Sequence, residues 1–167
     1  SRFCSVARIS HSVVLPNGDV KVRLNVFGRA KLVAIISTAP FFKARVQHLD
    51  PQTDFALDKG TQDLIAKTKE TYSVLSQYDQ ILDDQNFVVQ DTFDPGVLAD
   101  VICGLLPLRP PEGLAVLEEV HPVKRLRLAA SYLNAQVDVT VTRDRIASQA
   151  QNELGKLHHE EMLREQI

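Results

Sequence analysis

The hydrophobic positions change period twice along the chain. Val20, Val22, Leu24 and Val26 alternate with Lys21, Arg23 and Asn25, which is the period-two pattern of a half-buried strand. Phe3 to Leu15 is also rich in β-branched residues, and Pro16-Asn17-Gly18-Asp19 between the two runs is a hairpin signal. After Gly28-Arg29, an apolar run from Ala30 to Ile36 predicts a third strand, ended by Pro40. Phe42, Ala44 and Val46 alternate with Lys43, Arg45 and Gln47 and predict a fourth. Four strands joined by short turns within residues 3–49 imply an antiparallel meander or small barrel.

From Thr61 to Leu82 the period becomes helical. Leu64, Ile65, Thr68, Tyr72, Leu75, Tyr78 and Leu82 share a face, with Lys67, Lys69, Glu70 and Gln77 on the solvent side. Residues 83–93 read as a polar linker with one apolar patch, Phe87-Val88-Val89. Three short helices follow. Asp94 is an N-cap and Pro95 a first helical residue, with Leu98, Ile102 and Leu105 on one face and Pro107 and Pro110-Pro111 as the stop. The second runs from about Pro111 to Glu119 with Leu114 and Leu117 as its apolar side. The third begins near Pro122 and carries Leu126, Ala130, Leu133 and Val137 on one stripe. Asp138-Val139-Thr140 predicts a short break, with Thr140 or Thr142 capping a last helix from about Arg143. That helix is sparsely apolar (Ile146, Ala150, Leu154, Leu157, Met162 and Leu163), so it reads as a connector. The pattern divides the chain into a β subdomain over 1–60, a helical subdomain over 61–142 and a connector over 143–167. The fold class is α+β, a small antiparallel sheet or barrel followed by an α-helical bundle and a long C-terminal helix.

Composition refines this picture only slightly. The chain of 167 residues is 44% hydrophobic and 24% charged, in the range of globular domains. A formal net charge of −2 gives no global field toward nucleic acid or an anionic membrane. Cys4 and Cys103 are far apart in sequence and read as free core thiols of a reducing compartment, hence a cytoplasmic location.

Candidate chemistry is sparse. No Gly-x4-Gly-Lys-Ser/Thr loop, Gly-rich dinucleotide turn or Gly-x-Ser-x-Gly elbow occurs. His11, His48 and His121 are isolated. His158-His159-Glu160-Glu161 is the one dense cluster, but it lacks His-Glu-x-x-His spacing and fits a solvated helix face better than a metal site. Lys21, Arg23, Lys43 and Arg45 fit the solvated face of a sheet. Lys124, Arg125 and Arg127 form the densest basic patch, with an ion pair inside the helical unit as the expected role of Arg125. No residue is assigned to catalysis, cofactor or metal, and substrate-binding residues are unknown at this level.

Several motifs nonetheless follow one another in a family order. Val6-Ala7-Arg8-Ile9, Leu15-Pro16-Asn17-Gly18, Val22 and Gly28-Arg29-Ala30 come first. Phe41-Phe42-Lys43-Ala44-Arg45-Val46 with Leu49 follows, then Asp94-Pro95 with Leu98-Ala99-Asp100, Val116-Leu117-Glu118 and Arg125-Leu126. Leu163-Arg164-Glu165-Gln166 ends the series. Together they resemble the amino-terminal domain of the Lon family of ATP-dependent proteases over nearly the whole chain. Leu114 and His121 stand where that family has a glutamine and an acidic residue, and its opening Pro-Leu-Phe-Pro-type strand is missing. The missing strand implies an unpaired edge on its former neighbour.

The resemblance implies a PUA-like β subdomain and a domain that captures unfolded or degron-bearing proteins and supports a hexamer. It implies an ATP-dependent serine endopeptidase as parent, whose Ser-Lys dyad, ATP and magnesium belong to modules this chain lacks. No cofactor is then expected here, nor membrane or nucleic-acid partners. A stand-alone PUA-like module for a small molecule or RNA is the alternative, and the connector helix argues against it.

Overall fold

A computed structural model describes residues 2–167. Strands β1 (Phe3–Val14), β2 (Val20–Ser37) and β3 (Lys43–Leu49) precede helices α1 (Lys59–Ser76), α2 (Gln80–Gln90), α3 (Pro95–Leu105), α4 (Pro110–Glu118) and α5 (Pro122–Glu165). The fold is α+β. The sheet is antiparallel in the order β1-β2-β3, so β1 and β3 are its outer strands.

The expected hairpin forms where Asn17-Gly18 stands. Gly18 adopts φ +87°, a left-handed conformation that suits a residue without Cβ. Its N–H donates to the Leu15 carbonyl at 2.9 Å, and the Asp19 N–H donates to Asn17 Oδ1 at 3.1 Å. The expected fourth strand forms as β3, but the expected third does not exist separately. Gly28-Arg29 reads as a turn, but the chain runs straight through it, and the second and third expected strands are one 18-residue strand. A bulge takes the irregularity instead: Val6 faces Gly28 and Ala7 faces Val26, leaving Phe27 without an opposite residue. Because β3 pairs only with residues 29–37 of β2, the rest of the hairpin is a two-stranded arm. Within the sheet only Ala30 is fully buried.

The helices hold the core. Asp58, Asp79 and Asp94 cap α1, α2 and α3, each accepting a first-turn backbone N–H at 2.8 Å. Asp79 also explains why the helix expected over Thr61–Leu82 is two helices. Its carboxylate starts α2, and residues 83–90, expected as linker, belong to α2 with Val89 buried. Tyr72, Leu75, Leu98, Ile102, Leu126 and Leu133 fill the space where α1 and α3 pack on α5. Tyr72 leaves no orphan in this core, since its hydroxyl donates to the Leu82 carbonyl at 3.0 Å.

Three burial expectations are corrected. Lys69, placed on the solvent side by period, is buried: its ammonium donates to the Gln90 carbonyl at the end of α2 (2.7 Å) and lies 3.9 Å from the centre of the Phe93 ring. In α4 the buried residue is Val116, while Leu114 is exposed. On α5 the fully buried stripe runs through Leu126, Ala129 and Leu133, with Ala130 half-buried.

The break expected at Asp138–Thr140 is absent, and α5 is continuous for 44 residues. Thr140 and Thr142 therefore cap nothing. The helix begins instead at Pro122, where His121 Nδ1 accepts the Lys124 N–H at 3.5 Å. From Thr142 to Ile167 every residue is exposed.

Candidate client-binding cleft

Where the sheet meets the helices, two clefts of about 430 Å³ each open on either side of one crossing point. Phe27, Gly28, Arg29 and Asp100 line both. The first continues past Leu49 and Pro51 to the start of α3 and α5, at Val97 and Pro122. The second runs between β1 and α4, past Ser5, Cys103, Val116 and Leu117.

Local chemistry explains the crossing. Phe27, at the bulge, is 63% exposed and puts a large aromatic surface at the rim of both clefts. A Cβ at Gly28 would meet nothing within 4 Å, so the space beside the strand is open here. Two residues later the chain is committed to the protein, with Ala30 fully buried and its carbonyl facing Cys4 Sγ at 3.5 Å.

Below the crossing lies a charged triad. Arg29 Nη2 donates to Asp100 Oδ1 at 2.6 Å. Arg125 approaches the same carboxylate from α5, with Nη2 3.4 Å from Oδ2 and Nε 3.0 Å from Oδ1. The Nε contact is ionic only, because its N–H does not point along the line to Oδ1 and makes no hydrogen bond. Nη1 is satisfied by the carbonyls of Glu119 (2.9 Å) and Val120 (3.1 Å). The Arg125 side chain is only 10% exposed, against 20% for Arg29 and 45% for Asp100. Burial lowers the Arg125 pKa from its ordinary value, while the Asp100 charge opposes that shift. The expected ion pair of Arg125 inside the helical unit is thus present, and it extends to the sheet.

Gly96 makes the close approach of α3 to α5 possible. A Cβ there would lie 2.7 Å from Arg125 Nη2 and 3.0 Å from Pro122 Cβ. Nearby Cys103 is a poor nucleophile. Burial, reinforced by the Asp100 charge, pushes its thiol up to about 11.

The other sequence candidates lie elsewhere. His158, His159, Glu160 and Glu161 are exposed on α5, far along the chain from the clefts. Lys21, Arg23, Lys43 and Arg45 are exposed on the sheet, and Lys124 and Arg127 on α5. The sequence reading names no substrate-binding residue, and the triad shows why. Arg29, Asp100 and Arg125 each sit inside a recognisable motif, but they are 71 and 25 positions apart. No spacing rule joins them.

Comparison with known proteins places this architecture. The sequence model of the ATP-dependent protease La (LON) substrate-binding domain matches residues 1–135. The Lon protease of Desulfatibacillum aliphaticivorans is 29% identical over 164 residues, 98% of this chain and 20% of that protein. The Lon protease of Escherichia coli K12 is 27% identical over 169 residues, 98% of this chain and 21% of that protein. The chain therefore spans about a fifth of the length of these relatives. Among solved structures, the N-terminal domain of Mycobacterium avium complex Lon protease superposes with a TM-score of 0.66 at 18% identity, covering 80% of this chain and 70% of that one. A Lon N-terminal domain protein from Xanthomonas campestris gives 0.51 at 19% identity, covering 76% and 65%. These two share the fold. With four-fifths of its length matched by one family and its sheet-then-helices order shared with both structures, the chain belongs to the Lon substrate-binding domain family.

Proposed function

We propose that this chain is the substrate-recognition and assembly domain of an ATP-dependent, Lon-type protease, and that it holds unfolded or degron-bearing client segments in the clefts flanking Phe27. The observation that carries the reading is the exposed Phe27 ring at the rim of two open clefts, in a chain whose family is defined by substrate binding. An unfolded client offers apolar side chains and free backbone N–H and C=O groups. An aromatic anchor beside open strand edges suits both kinds of group. In this reading residues 1–60 and 61–142 form the binding unit, and 143–167 connect it to the ATPase module of a cytoplasmic hexamer. ATP, magnesium and the serine–lysine dyad then belong to other modules, and this chain binds without a cofactor.

Fluorescein-labelled β-casein, a disordered protein, is the probe. Its anisotropy should rise on titration with the chain, and Phe27→Ser should weaken binding about tenfold, as loss of one aromatic anchor does. The thermal melt of the helices should stay unchanged, because Phe27 is outside their core. Equal affinity of wild type and variant would remove the clefts from client binding.

A further inference from the structure

The two halves of the chain are thinly joined. The sheet meets the helices chiefly where α4 packs near β1. Among the described residues, Arg29–Asp100 is the sole ion pair between them. The connection over residues 50–58 has neither helix nor strand, and no hydrogen bond ties residues 50–56 to either half among the described residues. The first anchored point is Leu57, whose carbonyl accepts from Gln62 Nε2 at 3.0 Å, followed by the Asp58 cap. Arg29 and Asp100, with Phe27 and Gly28, are also the wall between the two clefts.

We propose that the Arg29–Asp100 ion pair is a latch, that residues 50–56 are its hinge, and that its opening joins the two clefts into one groove for an extended client segment. The occupant rests on the client-binding reading above; the motion does not. The asymmetry of the triad is what makes opening inexpensive. Asp100 is shared, so it keeps Arg125 when Arg29 leaves, and the buried guanidinium is never stranded. Arg29 is 20% exposed while paired, and it gains water as the sheet moves away from α3. A partly exposed pair of this kind holds a closed state only about fivefold over an open one. Binding that requires the open state is weakened by the fraction that is closed.

The test uses Arg29→Gln and Arg29→Lys in the whole chain, leaving the Asp100–Arg125 pair in place. Arg29 holds Asp100 through a single hydrogen bond, from Nη2, so a lysine ammonium can replace it. Amide hydrogen exchange in Arg29→Gln should rise about fivefold at residues 26–31 and 45–49, with the cores of α1, α3 and α5 unchanged. Binding of fluorescein β-casein should tighten by a similar factor, and Arg29→Lys should behave as wild type in both measurements. Exchange that is unchanged, or raised throughout the chain, overturns the latch. The expected exchange with unchanged or weaker casein binding overturns the gate, leaving the pair a positioning contact. If no variant binds casein, the client reading and the occupant fall together, and the exchange result still decides the latch.

Discussion

At the scale of single residues, the chain separates positions that fill the core from positions that let other residues meet. Leu126 is of the first kind. It is 0% exposed between α3 and α5, so Leu126→Ala should cost about 2–5 kcal/mol in a denaturant titration followed by helical circular dichroism. A loss below about 0.5 kcal/mol would make it a surface residue. Its role was legible from helical spacing alone, because periodicity reports one face of one helix. Gly96 is of the second kind and was not legible. Nothing local marks it, since its importance lies in the Pro122 Cβ that a methyl would meet at 3.0 Å. Alanine there should destabilise by about 1–3 kcal/mol despite its better helix propensity, because backbone and ring must separate. Cys103 gives a pH prediction with a definite sign. Its folded pKa, near 11, is above the unfolded value, so its contribution to stability is complete below the unfolded pKa and is lost as pH rises toward 11. At pH 8 it should alkylate with iodoacetamide on the order of 100-fold more slowly in the folded chain than in denaturant, read by mass spectrometry of the peptide.

At the scale of elements, what local chemistry decides was readable and what distant contacts decide was not. Asp94-Pro95 announced α3 because cap and first-turn proline act within four residues. The strand through Gly28-Arg29 was misread because a glycine in a strand signals a turn or a bulge equally well. Pairing with Val6 and Leu49, far away in sequence, chose the bulge. Thr140 and Thr142 were misread as caps for a related reason. Threonine caps only where the backbone leaves the helix, and α5 does not. The length of α5 leads to its own prediction. Residues 146–167 are exposed throughout, so they add helix without adding core. A chain ending at Arg145 should lose ellipticity at 222 nm in proportion to the residues removed. Its unfolding midpoint should correspond to a stability change within about 0.5 kcal/mol. A loss of several kcal/mol would show that the exposed half of α5 contributes to the fold through contacts of its own.

At the scale of the whole molecule, the net charge of −2 conceals a division that a single total cannot show. Residues 2–49 carry eight lysines and arginines against one aspartate, and residues 50–167 carry eleven against twenty acidic residues. A basic sheet therefore faces an acidic helical unit, and Arg29–Asp100 is where the two fields meet at contact distance. The apolar attachment is small, since the sheet buries fully only Ala30. Long-range attraction must then be a sizeable part of what holds the sheet in place, and unlike the helical core it is open to screening. The Debye length falls from about 10 Å at 0.1 M salt to about 3 Å at 1 M. Amide exchange across that range should show strands β2 and β3 losing protection relative to α3 and α5. The helical core cluster is made of apolar contacts, with Lys69 and Arg125 the buried charges beside it, so it should stay constant or gain slightly. Arg29→Gln, which has already lost the contact pair, should respond less steeply than wild type. If the ratio of strand to helix protection does not change with salt, apolar contacts between α4 and β1 hold the sheet, and the charge division has no part in joining the two halves.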